Sequence, residues 1–160
     1  MRTGLGYDSH RLVAGRRFVL GGVEIPHDKG LEGHSDADAL VHAVCDAILG
    51  AMAAGDIGRH FPDTDPRYRD ISSLRLLERV RAIGEEKGFQ VHNIDATVIL
   101  EKPRLAQYID RMCLNIAKAL NIAADLVSVK AKTNEGMGFA GRREGVAALA
   151  VATVKRKGVA

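Results

Sequence analysis

Apolar and polar residues alternate with strand and helix periods along most of this chain. Residues 18–20 and 23–25 are predicted to pair as a tight hairpin, because Gly21 and Gly22 between them readily adopt the positive φ of primed turns. Further strands are predicted from near Arg2 and over residues 89–100, 127–133 and 144–155. The last of these is almost continuously apolar, which is typical of a strand at the centre of a sheet.

Helical periods predict three substantial helices, over residues 34–53, 72–87 and about 104–120. In the third, apolar residues repeat at near-heptad spacing at Leu105, Ile109, Met112, Ile116 and Leu120. Three helices and one set of strands predict an α+β fold, a two-layer α/β sandwich in which one mixed sheet carries helices on one face. The uncovered face of such a sheet needs a partner.

The length of 160 residues predicts a single domain spanning positions 1–160. A net charge of +3 is too small to indicate a nucleic-acid partner. No apolar run approaches the roughly 20 residues that cross a bilayer, so no membrane partner is expected. The N-terminal residues lack the charged-then-apolar pattern of a secretion signal, and we therefore expect a cytoplasmic protein.

A cluster of imidazoles and carboxylates dominates the chemistry of the chain. In an extended segment Asp8 and His10 project to the same side, and His42 could complete a set of three ligands. One Asp with two His suits Zn²⁺ and leaves a fourth position open for a water or a phosphate oxygen. An isolated Asp-x-His is more often an ordinary strand end, so the prediction depends on the second segment, which contains His42.

That second segment contains three polar residues, Asp38, His42 and Asp46, spaced four apart along one face of a predicted helix. A buried carboxylate or imidazole without a partner costs several kcal/mol, so this line needs a metal or mutual contacts. We predict that Asp36 or Asp38 caps the start of the helix. We predict that Asp46 does not bind the metal itself but orients one of the metal-binding imidazoles.

Three loops also carry chemical groups. Residues 56–58 and 61–65 hold carboxylates and hydroxyls that suit either ordinary turns or a polyol ligand. Residues 101–104 precede a predicted helix, whose first amide groups would favour an anion. Residues 130–143 combine cations with glycines that let backbone amides approach a phosphate, and Glu135 could hold Mg²⁺ there. The alternative is a flexible glycine hairpin with a surface glutamate.

Taken together, five motifs resemble the 2-C-methyl-D-erythritol 2,4-cyclodiphosphate synthases, in order and along essentially the whole chain. The motifs are Asp8-Ser9-His10, His34-Ser35-Asp36-Ala37-Asp38 with His42, Asp56-Ile57-Gly58, Phe61-Pro62-Asp63-Thr64-Asp65 and Thr133-Asn134-Glu135. The resemblance implies a lyase of non-mevalonate isoprenoid biosynthesis. It would convert 4-diphosphocytidyl-2-C-methyl-D-erythritol 2-phosphate to the cyclic diphosphate and CMP, by attack of one substrate phosphate on the β phosphorus. It also implies a homotrimer with active sites between subunits, in which three uncovered sheet faces meet.

The resemblance implies a role for each motif. Zn²⁺ would be bound by Asp8, His10 and His42, and Mg²⁺ or Mn²⁺ by Glu135 with the substrate phosphates. His34 and Thr133 would be the catalytic, polarising residues. The cytidine diphosphate part of the substrate would contact Leu100, Glu101, Lys102, Pro103, Arg104, Leu105, Ala106, Lys132, Thr133, Asn134 and Glu135. Asp56 and Gly58 would meet the ribose, and Ser35 with residues 61–65 would surround the methylerythritol phosphate. The remaining substrate contacts would come from Asp8, Ser9, His10, His34, Ser35, Asp56, Ile57, Gly58, Phe61, Pro62, Asp63, Thr64, Asp65, Phe139 and Arg142.

Phe139 and Arg142 correspond to positions near a central cavity of the trimer, where family members can bind isoprenoid diphosphates. Three positions depart from the family pattern: Arg104 replaces a common Lys, Lys132 a frequent Thr and Tyr7 a frequent Phe. Tyr7 puts regulation by isoprenoids in doubt. Two alternatives to the cyclase are a metal-dependent nucleotide pyrophosphohydrolase, in which water attacks, and a non-catalytic trimeric module with structural zinc.

Overall fold

The computed structural model describes residues 1–158, so the end of the predicted domain at residue 160 lies outside the described residues. Within these described residues, seven strands run in chain order: β1 Arg2–Ala14, β2 Val19–Leu20, β3 Val23–Glu24, β4 Lys29–Leu31, β5 Phe89–Ile99, β6 Val127–Lys132 and β7 Gly145–Arg156. The helices are α1 Ala39–Ala51, α2 Ile57–His60, α3 Ser73–Glu86, α4 Ile109–Leu120 and α5 Gly138–Gly141. Short 3₁₀ turns lie at Pro66–Tyr68, Ala106–Tyr108 and Ala124–Leu126.

Five strands form the main sheet in the order β4-β1-β7-β5-β6, and β2 pairs with β3 as the predicted hairpin. Strand β7 is antiparallel to both β1 and β5, whereas β5 and β6 are parallel. The predictions of a mixed sheet and of a central apolar strand are therefore confirmed. The helix-facing residues of β7, which include Val146, Ala150 and Val154, are at most 1% exposed.

Helix α1 packs against β1 at unusually short range. A Cβ atom at Gly4 would lie 2.1 Å from the carbonyl oxygen of Ala47, and one at Gly6 would lie 2.0 Å from that of Ala43. The two glycines therefore allow the helix backbone to rest directly on the strand. Asp8 and His10 continue the same face of β1 towards the N-terminal end of α1, which carries His42.

The opposite face of the sheet is exposed. Leu5 and Val151 are paired across β1 and β7, and their side chains are 66% and 39% exposed. Tyr7, next but one along β1, is 52% exposed. These apolar groups form a continuous exposed strip, so the prediction that helices cover only one face is confirmed.

Two predicted helices begin later than expected. Helix α1 starts at Ala39 and not at residue 34, because Asp38 caps it and Ala37 has a positive φ of 56°. Helix α4 starts at Ile109, so residues 101–104 do not present the first amides of an α-helix, and the helix-terminus argument for an anion at these residues does not apply. The apolar face of α4 is as predicted, with Met112 and Ile116 fully buried.

Three short elements were not predicted: β4, α2 and α5. Each spans at most four residues, too few to establish a hydrophobic period. Within residues 1–158, no helix is long and apolar enough to cross a membrane.

Candidate metal centre and substrate cavity

Three potential ligands converge between β1 and α1. Oδ2 of Asp8 lies 2.8 Å from Nε2 of His10 and 3.0 Å from Nδ1 of His42. The two imidazole nitrogens are 3.2 Å apart. Among residues 1–158, these side chains form a group of three ligand atoms close enough to share one ion. The prediction that they form a metal site is therefore supported by their geometry.

The site has a defined charge before any metal binds. Burial alone would raise the pKa of Asp8, but hydrogen bonds from His10 and His42 and their positive charge lower it to about 2. Burial would lower the pKa of His10, yet the hydrogen bond and charge of Asp8 outweigh it and the net pKa is raised. An ionised carboxylate thus lies beside two imidazoles, which is a donor set suited to Zn²⁺.

Each histidine has a second partner on its other nitrogen. Nδ1 of His10 lies 2.6 Å from the carbonyl oxygen of Glu32, to which it can only donate, so its Nε2 lone pair is free for a metal. Nε2 of His42 lies 2.8 Å from Oγ of Ser73 and 3.2 Å from Oγ of Ser35. Sequence analysis missed Ser73, because nothing in the sequence relates it to a residue 31 positions earlier.

The predicted role of Asp46 is wrong. Its Oδ1 accepts the backbone N–H of Ile57 at 2.7 Å, and so it holds the start of α2. The nitrogen of His42 that faces away from Asp8 contacts Ser73 instead. Spacing along one helix cannot reveal which neighbouring segment a side chain meets. Burial, together with the charge of Asp56, raises the pKa of Asp46, although the Ile57 amide opposes this.

The predicted helix cap is confirmed for Asp38, which is completely buried. Its Oδ1 accepts from the backbone amides of Val41 at 3.1 Å and Gly21 at 2.9 Å, and its Oδ2 accepts from Gly22 at 2.7 Å. Burial and the nearby charge of Asp36 raise the pKa of Asp38 to about 6, while the three amides lower it. One carboxylate therefore joins the β2–β3 turn to the start of α1.

Replacing Asp38 with alanine is expected to destabilise the protein by about 2–4 kcal/mol, because a helix cap is lost and buried amides are left without acceptors. Urea unfolding at neutral pH measures this change. Asp125→Ala is the matched control, because Asp125 is an exposed acid at the start of a 3₁₀ turn. Equal midpoints for the two variants would contradict the role assigned to Asp38.

A cavity of about 460 Å³ opens beside the metal group. Its lining combines two metal ligands with residues from four segments: His10, Gly33, His34, Ser35, His42, Ile57, Gly58, Phe61, Pro62, Asp63, Tyr68 and Leu76. The structure thus brings together the segments predicted to hold the sugar phosphate. Tyr68 and Leu76 were not predicted, and Phe61 packs edge-on against Tyr68 with ring centroids 5.4 Å apart.

Side chains that bind backbone carbonyl oxygens fix the segment that carries His34 and Ser35. The guanidinium of Arg16 donates to the carbonyl oxygens of Gly33 at 3.0 Å and Ser35 at 2.9 Å. Nε2 of His34 lies 3.1 Å from the carbonyl oxygen of Asp65. Both cavity residues are therefore positioned before a ligand arrives.

Within the predicted loops 56–58 and 61–65, three residues do not line this cavity. Asp56 caps α2 by accepting the amide of Arg59 at 2.9 Å. Asp65 caps the Pro66–Tyr68 turn, and hydrogen bonds from Arg67 lower its pKa. Thr64 lies beside Asp65 and is exposed.

The predicted nucleotide segments meet at the end of β5 and β6. Glu101 accepts the amides of Asn134 at 2.8 Å and Gly136 at 3.2 Å through Oε1. Thr133 donates to Oε1 of Glu135 at 2.6 Å. Residues 100–106 and 132–135 contribute nothing to the lining of the 460 Å³ cavity. Within one chain the two parts of the predicted site are therefore separate.

Phe139 and Arg142 line a second cavity of about 590 Å³, together with Ser9 and His10. Arg142 forms an ion pair with Glu144, with Nε and Oε1 2.9 Å apart. His10 belongs to the linings of both cavities, which therefore adjoin at the metal group.

Comparison with known proteins gives consistent results. Residues 1–155 match the YgbB family. The chain is 59% identical over 155 residues to a 2-C-methyl-D-erythritol 2,4-cyclodiphosphate synthase of Syntrophus aciditrophicus, covering 97% of this chain and 98% of that protein. It resembles the bifunctional IspDF structure of Campylobacter jejuni with 41% identity and a TM-score of 0.93, covering 97% of this chain but 42% of that one. It also resembles a CDP complex of Plasmodium falciparum IspF, with 31% identity, a TM-score of 0.85 and coverage of 98% and 96%.

Proposed function

This chain belongs to the YgbB family, together with relatives named 2-C-methyl-D-erythritol 2,4-cyclodiphosphate synthase, and on that premise we propose how its residues share the reaction. It is a lyase of isoprenoid biosynthesis that forms 2-C-methyl-D-erythritol 2,4-cyclodiphosphate and CMP from 4-diphosphocytidyl-2-C-methyl-D-erythritol 2-phosphate. The observation that carries the proposal is the convergence of Asp8, His10 and His42 beside the cavity that His34 and Ser35 line.

Asp8, His10 and His42 would hold Zn²⁺, since one carboxylate and two imidazoles form an open three-ligand set. A zinc ion bound there would stabilise negative charge on a phosphate oxygen as a Lewis acid. Glu135 is exposed beside Thr133 and would hold Mg²⁺ or Mn²⁺ together with the substrate phosphates.

The cavity residues need to position the substrate and neutralise its charge. The nucleophile is a substrate phosphate that is already ionised near neutral pH, so no strong base is required. Nε2 of His34 donates to Asp65, which leaves Nδ1 for the substrate. The hydroxyl of Ser35 accepts the amide of Ala37 at 3.1 Å and lies 3.2 Å from Nε2 of His42. When that nitrogen carries a hydrogen, the hydroxyl accepts from it too, and its own hydrogen is free for a phosphate oxygen. Thr133 would polarise the phosphate chain from the nucleotide side.

The cavity also favours cyclisation over hydrolysis. Ile57, Phe61 and Leu76 provide an apolar wall beside the metal group. With substrate bound, such a wall would keep water away from the reacting phosphorus, whereas a pyrophosphohydrolase must admit a water there. The polar residues of the same cavity, which include Asp63, would bind the methylerythritol phosphate.

A homotrimer would complete the site. The exposed strip of Leu5, Tyr7 and Val151 supports packing of the sheets around a threefold axis. Within one chain, the cavity around His34 is separate from residues 100–106 and 132–135. This separation supports active sites between subunits, in which residues 100–106 and 132–135 of a neighbouring copy bind the cytidine diphosphate. The CDP bound by the Plasmodium falciparum relative agrees with this ligand class.

Two finer expectations stay predictions. Phe139 and Arg142 would lie near the central cavity of the trimer, where an isoprenoid diphosphate could bind. Lys132 and Arg104 are both exposed at the nucleotide segments and would add positive charge near the phosphates. The cytoplasmic location also stays a prediction.

Product analysis tests the proposal. The purified enzyme, supplied with Zn²⁺ and Mg²⁺, is expected to convert the cytidyl substrate to CMP and the cyclic diphosphate, observed by ³¹P NMR. In ¹⁸O-labelled water the cyclic product should contain no label. A linear phosphate product that carries ¹⁸O would instead identify a pyrophosphohydrolase.

Zinc affinity is expected to fall as pH falls, because a metal can bind His10 only after its proton leaves. The pKa of His10 lies above its ordinary value of 6.5, so the loss should begin above that pH. For each proton that zinc must displace, the apparent zinc affinity falls about tenfold for every pH unit below the pKa of that group. Asp8, with a pKa of about 2, stays ionised and does not contribute. Competition with a chelator at a series of pH values measures the slope, and a flat profile would contradict the assignment of His10.

A further inference from the structure

The hydrogen bonds behind His42 extend beyond the residues assigned so far. Oγ of Ser73 lies 2.8 Å from Nε2 of His42, on the side of the ring opposite the metal group. The same hydroxyl donates to Oδ1 of Asp36. We propose that Ser73, held by Asp36, is a positioning residue that fixes the tautomer and orientation of His42 for metal binding. This inference deepens the proposed function and rests on it for the identity of the metal ligands.

Asp36 is tied to Ser73 at two points. Its Oδ2 accepts the backbone amide of Ser73 at 3.0 Å, while its Oδ1 accepts the hydroxyl. Ser73 is the first residue of α3 and is fully buried. The residue at the cap position, Ser72, makes no side-chain hydrogen bond to the helix. Asp36 therefore performs the capping of α3 and fixes the Ser73 hydroxyl in the same contact.

The direction of these hydrogen bonds decides the tautomer of His42. An ionised carboxylate only accepts hydrogen bonds, so the single hydroxyl hydrogen of Ser73 is engaged by Asp36. Ser73 can then only accept from His42, and Nε2 of the imidazole must carry a hydrogen. In neutral His42 this leaves the lone pair on Nδ1, the atom that faces Asp8 at 3.0 Å. Without Asp36, the hydroxyl could donate to Nε2 and place the hydrogen on Nδ1, where it would oppose a metal.

Backbone hydrogen bonds join the residues before α3 to the segment that carries His34 and Asp36. The amide of Asp36 donates to the carbonyl oxygen of Ile71 at 3.1 Å, and the amide of Asp70 donates to that of His34 at 2.8 Å. The segment carrying His34 and the lead into α3 are thus paired at the backbone. Asp36 lies in one of these paired segments and Ser73 directly follows the other. The Ser73 hydroxyl is therefore held rigidly beside the imidazole of His42.

The first variant to test is Ser73→Ala, with Ser72→Ala as matched control. Loss of a partner behind a metal-binding histidine typically weakens metal affinity by about 10–100-fold. We expect that loss for Ser73→Ala, measured as the zinc dissociation constant by chelator competition, and no change for Ser72→Ala. The free energies of unfolding of the metal-free forms are compared to confirm that both variants remain folded. A Ser73→Ala protein that binds zinc as tightly as the wild type would overturn the proposal.

Asp36→Asn is the second variant. An asparagine would keep an oxygen towards the Ser73 amide but turn its NH₂ group towards the hydroxyl, which would then donate to His42. Zinc affinity is therefore expected to fall by at least as much as in Ser73→Ala, although no ligand has been changed. Unchanged affinity in Asp36→Asn would exclude control of the tautomer.

A spectroscopic measurement separates positioning from a general structural effect. In the zinc-loaded wild type, the Nε2 hydrogen of His42 should give a downfield proton resonance that exchanges slowly with water. In Ser73→Ala this resonance should move upfield and broaden, and in Ser72→Ala it should not. Its persistence in Ser73→Ala would refute the hydrogen bond. These readouts need no turnover: a wild type that binds zinc but forms no cyclic product would reject the proposed function alone.

Discussion

Replacing His42 with alanine is expected to abolish turnover while the chain remains folded. The variant would keep only Asp8 and His10 of the three converging ligands. Since changes behind a metal ligand already cost about 10–100-fold, loss of the ligand itself should lower CMP release by more than about a hundredfold. The zinc content of the purified protein should fall in parallel. Single-turnover CMP release and metal analysis measure both effects.

His92→Ala is the matched control, since His92 lies at an irregularity of β5 away from the metal group. It should retain zinc and turnover. A His42→Ala protein that is folded but inactive would reject the alternative of purely structural zinc. If instead it unfolds when the wild type without metal does not, the catalytic assignment loses its support, and full turnover would show that the metal lies elsewhere.

If the chain forms the proposed trimer, introducing lysine at both Leu5 and Val151 is expected to convert it to monomers. The two residues face each other across β1 and β7, on the face that has no helices. Burying two ammonium groups between sheets without partners costs several kcal/mol per copy. Sedimentation analysis at micromolar protein concentration measures the change. Turnover should be lost as well, because the nucleotide and sugar-phosphate residues would then lie on separate molecules.

Leu114→Lys is the control for a general effect of surface lysine. Leu114 is 56% exposed on α4, in the helical layer, and no interface is proposed there. This variant should remain trimeric and active. A Leu5→Lys/Val151→Lys protein that still sediments as a trimer would refute packing through the exposed strip, and an active monomer would refute active sites between subunits.

Much of the architecture could be predicted from the sequence. The continuous apolar run of β7 placed it at the centre of the sheet, and the alternation of β5 identified its buried face, which includes Ile94, Ala96 and Val98. The heptad-like repeat of α4 identified its buried side. These predictions succeeded because they depend on the period of burial along one element, and that period is a local property of the chain.

The metal group could be predicted for a similar reason. Asp8 and His10 share one face of a strand by alternation alone, and His42 was the imidazole in a line of polar residues on the predicted helix, an assignment that the family resemblance supported. The helix cap was also local: Asp38 accepts the amide of Val41 at the start of α1, as its residue type predicted. The further contacts of the same carboxylate with the amides of Gly21 and Gly22, which are distant in sequence, could not be predicted from a local pattern.

By itself, the sequence determined the strand and helix periods, the buried faces and the three candidate ligands of the metal group. Only the tertiary structure decided what stands behind those ligands: Ser73 and not Asp46 meets His42, and Asp46 holds Ile57 instead. Only the fold separates the cavity around His34 from the segments around Thr133. Periods follow from the geometry of one element, whereas the partners of a polar side chain are set by which elements pack together.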